Sequence, residues 1–230
     1  MQSAITAVRA SWLARPADSA WAGVGRQLPG QLPGQISGQL SPASPTCLPA
    51  AALPDADFVR LHDDWKRLCG DRVALPRAEL DPLCLPRKLL PYLAILERQP
   101  TQGRRLFYRL VGTQIELAGG RTMTRRYLSM LPTRNTWLEQ VIRDVELLER
   151  HSCPLYAEGA FLTFRNGLTG VRATCHLLLP LLNDAGELCC ALMVQKLRRL
   201  DAAHSEPFLF ADEFRPGRRA LVGVPRDVEP

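Results

Sequence analysis

The chain has 230 residues, 46% of them hydrophobic and 23% charged, with a net charge of +6; that suits one well-buried domain with or without tails. Its longest uninterrupted apolar run, Leu177 to Leu182, contains Pro180 and is far too short to cross a bilayer, so no transmembrane helix is expected. Arg9 and Arg15 interrupt the apolar part of the N-terminus, which argues against a secretory signal; the segment reads as a non-targeting leader, with an organelle-like amphipathic presequence as the alternative, and the protein is expected to be cytoplasmic.

In chain order, residues 1–54 read as a flexible, low-complexity leader. The stretch "QLPGQLPGQISGQLSP" repeats Pro, Gly, Gln and Ser, and no aromatic occurs from Ala22 to Asp57, so little apolar surface is available to offset chain entropy. Residues 55–200 form the predicted domain. Phe58, Leu61, Trp65 and Leu68 share one helical face over Asp55 to Leu68, and Gly70 supplies the stop. Pro76, Pro82, Pro86 and Pro91 then exclude a long regular element.

Tyr92 to Arg98 and Leu106 to Gly112 read as a first pair of strands. Tyr156 to Thr163, Val171 to Leu182 and Glu187 to Leu197 read as three more, joined by the turn sequences "RNGLTG" and "NDAGE". Between the groups, Thr136 to Arg150 predicts an amphipathic helix. Trp137, Leu138, Val141, Ile142, Val145 and Leu148 lie opposite Glu139, Arg143, Glu146 and Glu149, and a Thr136 to Glu139 capping box opens it. Residues 201–230 read as a Pro-rich C-terminal tail in which "FLF" could dock. Together these predict an α+β fold: a five-stranded antiparallel sheet with helices on one face, plus an N-terminal helix.

The run from Trp65 and Gly70 through Leu75, Pro76, Arg77, Asp81, Pro82, Leu85, Pro86, Leu90 and Pro91 has a definite order. It continues through Tyr108, Arg109, Leu110, Gly112 and Thr113 to Gly120, Arg121, Thr124, Arg126, Tyr127 and Leu128. In this order the residues resemble the PAS-like family of small bacterial sensory proteins. Arg125 departs from the resemblance, standing where the family usually has Gly, which predicts a distorted turn before "RYL". The resemblance implies a PAS-like fold and a sensory or regulatory module without assigned catalysis. It implies either a small ligand held between sheet and helices or a protein partner, including a second copy, on the outer sheet face.

On that expectation the candidate pocket residues are Leu106, Tyr108, Leu110, Trp137, Val141 and Cys175, and the candidate partner face is Arg109, Arg172 and His176. The Tyr108 hydroxyl is the central question, since a buried phenol needs a partner in the fold or in a ligand. Alternation along Val171 to Leu179 puts the odd residues in the core and His176 outside. His151 follows a helix C-terminus, where an imidazolium is favoured by the dipole, so neither histidine is read as a heme ligand. No Asn-Cys-Arg-Phe context supports flavin photochemistry, and no cofactor is assigned.

The seven cysteines, Cys47, Cys69, Cys84, Cys153, Cys175, Cys189 and Cys190, are an odd number without metal-ligand spacing, which reads as free thiols in a reducing compartment, none singled out as redox-active. From residue 55 to 200 there are 22 basic and 16 acidic side chains, scattered as pairs, so specific nucleic-acid recognition is not expected. Asp55, Asp57, Asp63 and Asp64 read as helix-start carboxylates and not as acid-base catalysts. The alternative function is a small α+β enzyme acting on an apolar substrate, for which Glu158 or His176 would have to point into the domain.

Overall fold

The computed structural model describes residues 46–81, 84–99, 105–131, 135–165, 168–199 and 212–223. The "QLPG" repeat and the "FLF" stretch lie outside the described residues.

Among the described residues nine strands form one mixed sheet. They are β1 (Thr46–Leu48), β2 (Leu75–Pro76), β3 (Leu93–Gln99), β4 (Arg105–Val111), β5 (Arg126–Tyr127), β6 (Leu155–Arg165), β7 (Leu168–Leu182), β8 (Leu188–Arg199) and β9 (Glu213–Val222). Eight follow the order β1-β9-β6-β7-β8-β3-β4-β5. Two short pairings, β1 with β9 and β2 with β7, are parallel, and the other ladders are antiparallel. Strand β2 joins β7 at Leu181 and Leu182, beyond Leu178 where β6 stops pairing.

The helices are α1 (Ala56–Cys69), α2 (Thr113–Gly119) and α3 (Trp137–His151). Asp55 caps α1 by accepting the Asp57 N–H at 2.8 Å, and Gly70 ends it at a φ of 58°. At α3 the expected capping box is not made: Asn135 Oδ1 accepts the Trp137 N–H at 2.9 Å, and Thr136 makes no side-chain cap bond.

The expectation of a PAS-like fold, a five-stranded antiparallel sheet with helices on one face, is overturned. All five predicted strands exist, but Glu213–Val222, from the segment read as a tail, enters the sheet between β1 and β6, and Thr46–Leu48 extends it further. Both faces are covered. Leu177, Leu179, Leu181, Leu192 and Val194 pack with Phe58, Leu61 and Trp65 of α1. The alternate residues Leu178, Ala191 and Met193 pack with Trp137, Val141, Val145 and Leu148 of α3. The physical reason is in "LLLPLL": a strand apolar at successive positions is buried on both sides.

The turn from β4 into α2 depends on Gly112. Its N–H donates to Leu93 O at 2.7 Å, and a Cβ built there would lie 2.7 Å from Leu90 O and closer still to Pro91 O. Only glycine allows this approach. After α2, Glu116 Oε1 accepts the N–H groups of Met123 (2.9 Å) and Thr124 (3.0 Å), and the Thr124 hydroxyl accepts Val111 N–H at 3.0 Å. Burial raises the Glu116 carboxyl, but the two N–H groups together with the Thr124 hydroxyl outweigh it and hold it below the usual range. Arg125 sits at a φ of 62°, and its N–H donates to Tyr108 O at 2.6 Å. The turn therefore keeps a left-handed residue where glycine would be easiest, and the arginine bears the strain.

Among the described residues no helix is long and apolar enough to cross a membrane, and no group of three or more His, Cys, Asp or Glu could hold a metal ion.

Candidate functional site

The residues predicted to line one pocket are divided by the sheet. Leu106, Tyr108, Trp137 and Val141 are buried in the cluster under α3. Cys175 packs on the α1 face, and Leu110, beside the irregularity in the β3–β4 ladder, is 41% exposed. Burial pushes the Cys175 thiol up to about 12, so it stays protonated and is no nucleophile at neutral pH.

Tyr108 and Trp137 lie in the same layer but far apart. Tyr108 pairs with Leu96, Leu96 with Ala191, and Ala191 with Pro180, which sets Tyr108 level with Pro180 of β7. Trp137 packs on Phe161 at 5.9 Å between centroids, and Phe161 pairs with Arg172. From Arg172 to Pro180 the strand advances about 26 Å. No small ligand touches both side chains.

Tyr108 is fully buried, and its hydroxyl has no hydrogen-bond partner. Tyr108 pairs with Leu96 across the β3–β4 ladder and belongs to a hydrophobic cluster that also contains Val111, Ile115, Met123 and Leu128. Burial alone pushes the phenol well above its ordinary range, so it is a hydrogen-bond donor at any working pH. A buried phenol without a partner costs stability that a phenylalanine would not, and that makes Tyr108 a candidate for contact with a ligand.

The predicted partner face also divides. His176 is buried under α3, contrary to the outward position expected from alternation. The alternation itself holds, but the face on which His176 lies is roofed by α3 and not by water. Arg172 shares the parity of His176 and is half-buried. Arg109 lies on the opposite face, paired with Glu97 at 3.0 Å.

A polar row missed in the sequence crosses four strands at this level. Arg219 of β9 pairs with Ala157 of β6, Ala157 with His176 of β7, and His176 with Gln195 of β8. Ala157 is small, and over it the Arg219 and His176 side chains converge on Asp144 of α3. Arg219 Nη2 lies 2.7 Å from one carboxylate oxygen and His176 Nε2 3.1 Å from the other, while Gln140 Nε2 donates at 2.9 Å. Gln195 donates to the Thr174 hydroxyl at 3.0 Å and leaves its own Oε1 buried without a partner.

The signal for this row was present in α3. Asp144 lies three residues after Val141 and four before Leu148, on the apolar stripe itself, and Gln140 lies four before Asp144. A charged residue on such a stripe requires a buried counter-charge. Which strand supplies it is a matter of tertiary pairing.

On the α1 face, Lys196 Nζ reaches Asp55 and Asp57, each at 2.7 Å, and lies 5.4 Å from the Phe58 ring centroid. Lys88 adds a second ammonium to Asp57. Beside them Tyr156 donates to Glu158 at 2.7 Å. Of the four acidic residues read as helix-start carboxylates, Asp55 and Asp57 thus also clamp α1 to β8.

Comparison with protein-family models, with curated proteins and with solved structures finds no match, so the functional reading rests on these residues alone.

Proposed function

We propose that this protein is a non-enzymatic regulatory module that holds a small, mainly apolar ligand between the sheet and the α2–α3 layer, with the Tyr108 hydroxyl as the recognition donor. The observation that carries the reading is the buried Tyr108 hydroxyl without a partner. The apolar surroundings of that donor favour a ligand with a hydrocarbon body and one acceptor oxygen, which would satisfy the phenol and gain from the surrounding side chains. A resting protein that strands a donor and a bound one that satisfies it differ in stability, which is what a sensor needs.

The test is denaturing extraction of the purified protein followed by mass spectrometry, and return of any extracted molecule to wild type and Tyr108→Phe. One stoichiometric molecule whose affinity falls roughly 10-fold in the variant is expected, the worth of about one buried hydrogen bond. A protein that yields no small molecule, yet retains a partner through a surface remote from Tyr108, would replace this reading with an interaction role.

One observation favours an enzyme acting on an apolar substrate: His176 points into the domain and is oriented by Asp144. Against it, the carboxylate is already held by Arg219 and Gln140, the arrangement of an anchor for α3. Turnover of an apolar ester or epoxide that His176→Gln abolishes without loss of fold would establish the enzyme reading.

A further inference from the structure

Neighbouring residues of a regular strand point to opposite faces, so adjacent cysteines on a strand ordinarily keep their sulfurs apart. At the start of β8 this rule is broken. Leu181 pairs with Cys190 and Leu182 with Leu188, which leaves Cys189 as the extra residue of a β-bulge. Its N–H turns back to Glu187 O at 3.0 Å. As a result both side chains pack on the α1 face, and the two Sγ atoms are 4.0 Å apart in a thiol hydrogen bond. Cys189 is half-buried and reachable from solvent at the end of the β7–β8 hairpin, whereas Cys190 is buried.

We infer that Cys189 and Cys190 are a reversible modification site, a vicinal thiol pair that a small-molecule disulfide oxidises to a Cys189–Cys190 disulfide. Cys189 loses its proton to solvent and its thiolate attacks one sulfur of the reagent. The reagent's S–S bond breaks and its first half leaves as a thiol after taking up a proton. Cys190, already in contact, then gives up its proton and attacks Cys189 Sγ, expelling the second half as a thiol. In balance the protein loses two protons and two electrons, and the reagent takes up both to become two thiols.

Three features support the pair as the reacting unit. The resolving sulfur waits beside the attacked one, so closure outruns any encounter with a second thiol. The oxidised product is uncharged, which suits a place where burial and the carboxylates of Glu187 and Glu97 disfavour thiolates. Adjacent Cα atoms are about 3.8 Å apart, less than the 4.4–6.8 Å that relaxed disulfides span, so the bond is readily reduced again. The same thiolate penalty makes the reaction accelerate as pH rises toward the range of the Cys189 thiol.

The experiment incubates the full-length protein with oxidised glutathione at mildly alkaline pH, blocks remaining thiols with an alkylating agent, and maps the peptides by mass spectrometry. The peptide carrying both cysteines is expected to lose two hydrogens and to escape alkylation, and a low concentration of dithiothreitol should restore it. Cys190→Ser should stop at a glutathione adduct on Cys189, and Cys189→Ser should acquire neither product. Wild type that accumulates the adduct on Cys189, or in which both sulfurs remain fully alkylated while exposed Cys47 and Cys84 react, would overturn the inference. The wild-type result decides it even if a variant misfolds.

Discussion

Replacing Tyr108 by Phe removes one oxygen atom from a position that is fully buried and where that oxygen has no partner. In the unfolded chain the hydroxyl is hydrated. In the ligand-free fold it is stripped of water with nothing in exchange, at a cost of about 1–3 kcal/mol. The ring itself, buried in the hydrophobic cluster, is kept by the substitution, so no sizeable cavity term offsets the gain. Ligand-free Tyr108→Phe should therefore be more stable than wild type by about 1–2 kcal/mol, a rise in Tm of roughly 2–8 °C for a fold of this size. Urea denaturation followed by far-UV circular dichroism measures it, and an unchanged m-value would show that the denatured state is not responsible. With saturating ligand the variant's advantage should shrink by about 1.4 kcal/mol, the worth of a tenfold difference in affinity. A ligand-free variant less stable than wild type by 1 kcal/mol or more would refute the reasoning, because it would mean the hydroxyl is already satisfied inside the fold.

The turn around Gly112 offers two opposite substitutions. Gly112→Ala forces a methyl group against Leu90 and Pro91 carbonyls and should destabilise by about 2–3 kcal/mol, read from the urea midpoint. Arg125→Gly relaxes a non-glycine residue at a φ of 62° and should stabilise by up to about 1 kcal/mol in the same assay. Asp144→Ala leaves the half-solvated Arg219 and buried His176 and Gln140 without their acceptor and should cost about 3 kcal/mol, with the amides of α3 exchanging first in hydrogen-exchange measurements. Burial pulls the Asp57 carboxyl up, but the ammonium groups of Lys196 and Lys88 together outweigh it, so it titrates below its ordinary 3.8. A depressed folded pKa contributes stability that is present above the unfolded value and lost as pH falls through the folded one, so wild type should lose more stability than Asp57→Asn between about pH 5 and pH 3.

Much of the local structure was legible because it is written in short-range patterns. The period of Phe58, Leu61 and Trp65 specified α1, the stripe from Trp137 to Leu148 specified α3, and "RNGLTG" and "NDAGE" marked the β6–β7 and β7–β8 hairpins. Gly112 ends the second predicted strand in the sequence pattern, but that the Leu90 and Pro91 carbonyls exclude any side chain there is visible only in the fold. The central question about Tyr108 could also be posed from sequence. Whether its hydroxyl meets a partner depends on residues from β3, α2 and the loop after it, which no local pattern brings together.

What the tertiary structure alone decided is pairing over long separations and which faces are roofed. Glu213–Val222 has only modest strand character, "EFRPGRRALV" with a Pro and a Gly, and it becomes a strand because β6 presents a free edge on which Phe214, Leu221 and Val222 can be buried. His176 moved from an expected outer face to a buried one because α3 covers that side, and the helix in turn carries the Asp144 that the histidine meets. The sulfurs of Cys189 and Cys190 came together through a one-residue register shift against β7. Sequence by itself determined where helices and most strands form, since hydrophobic period, caps and turns act within a few residues. Burial of a polar atom, and therefore function, depends on residues far apart in the chain, and only the assembled sheet with its two helical layers places them together.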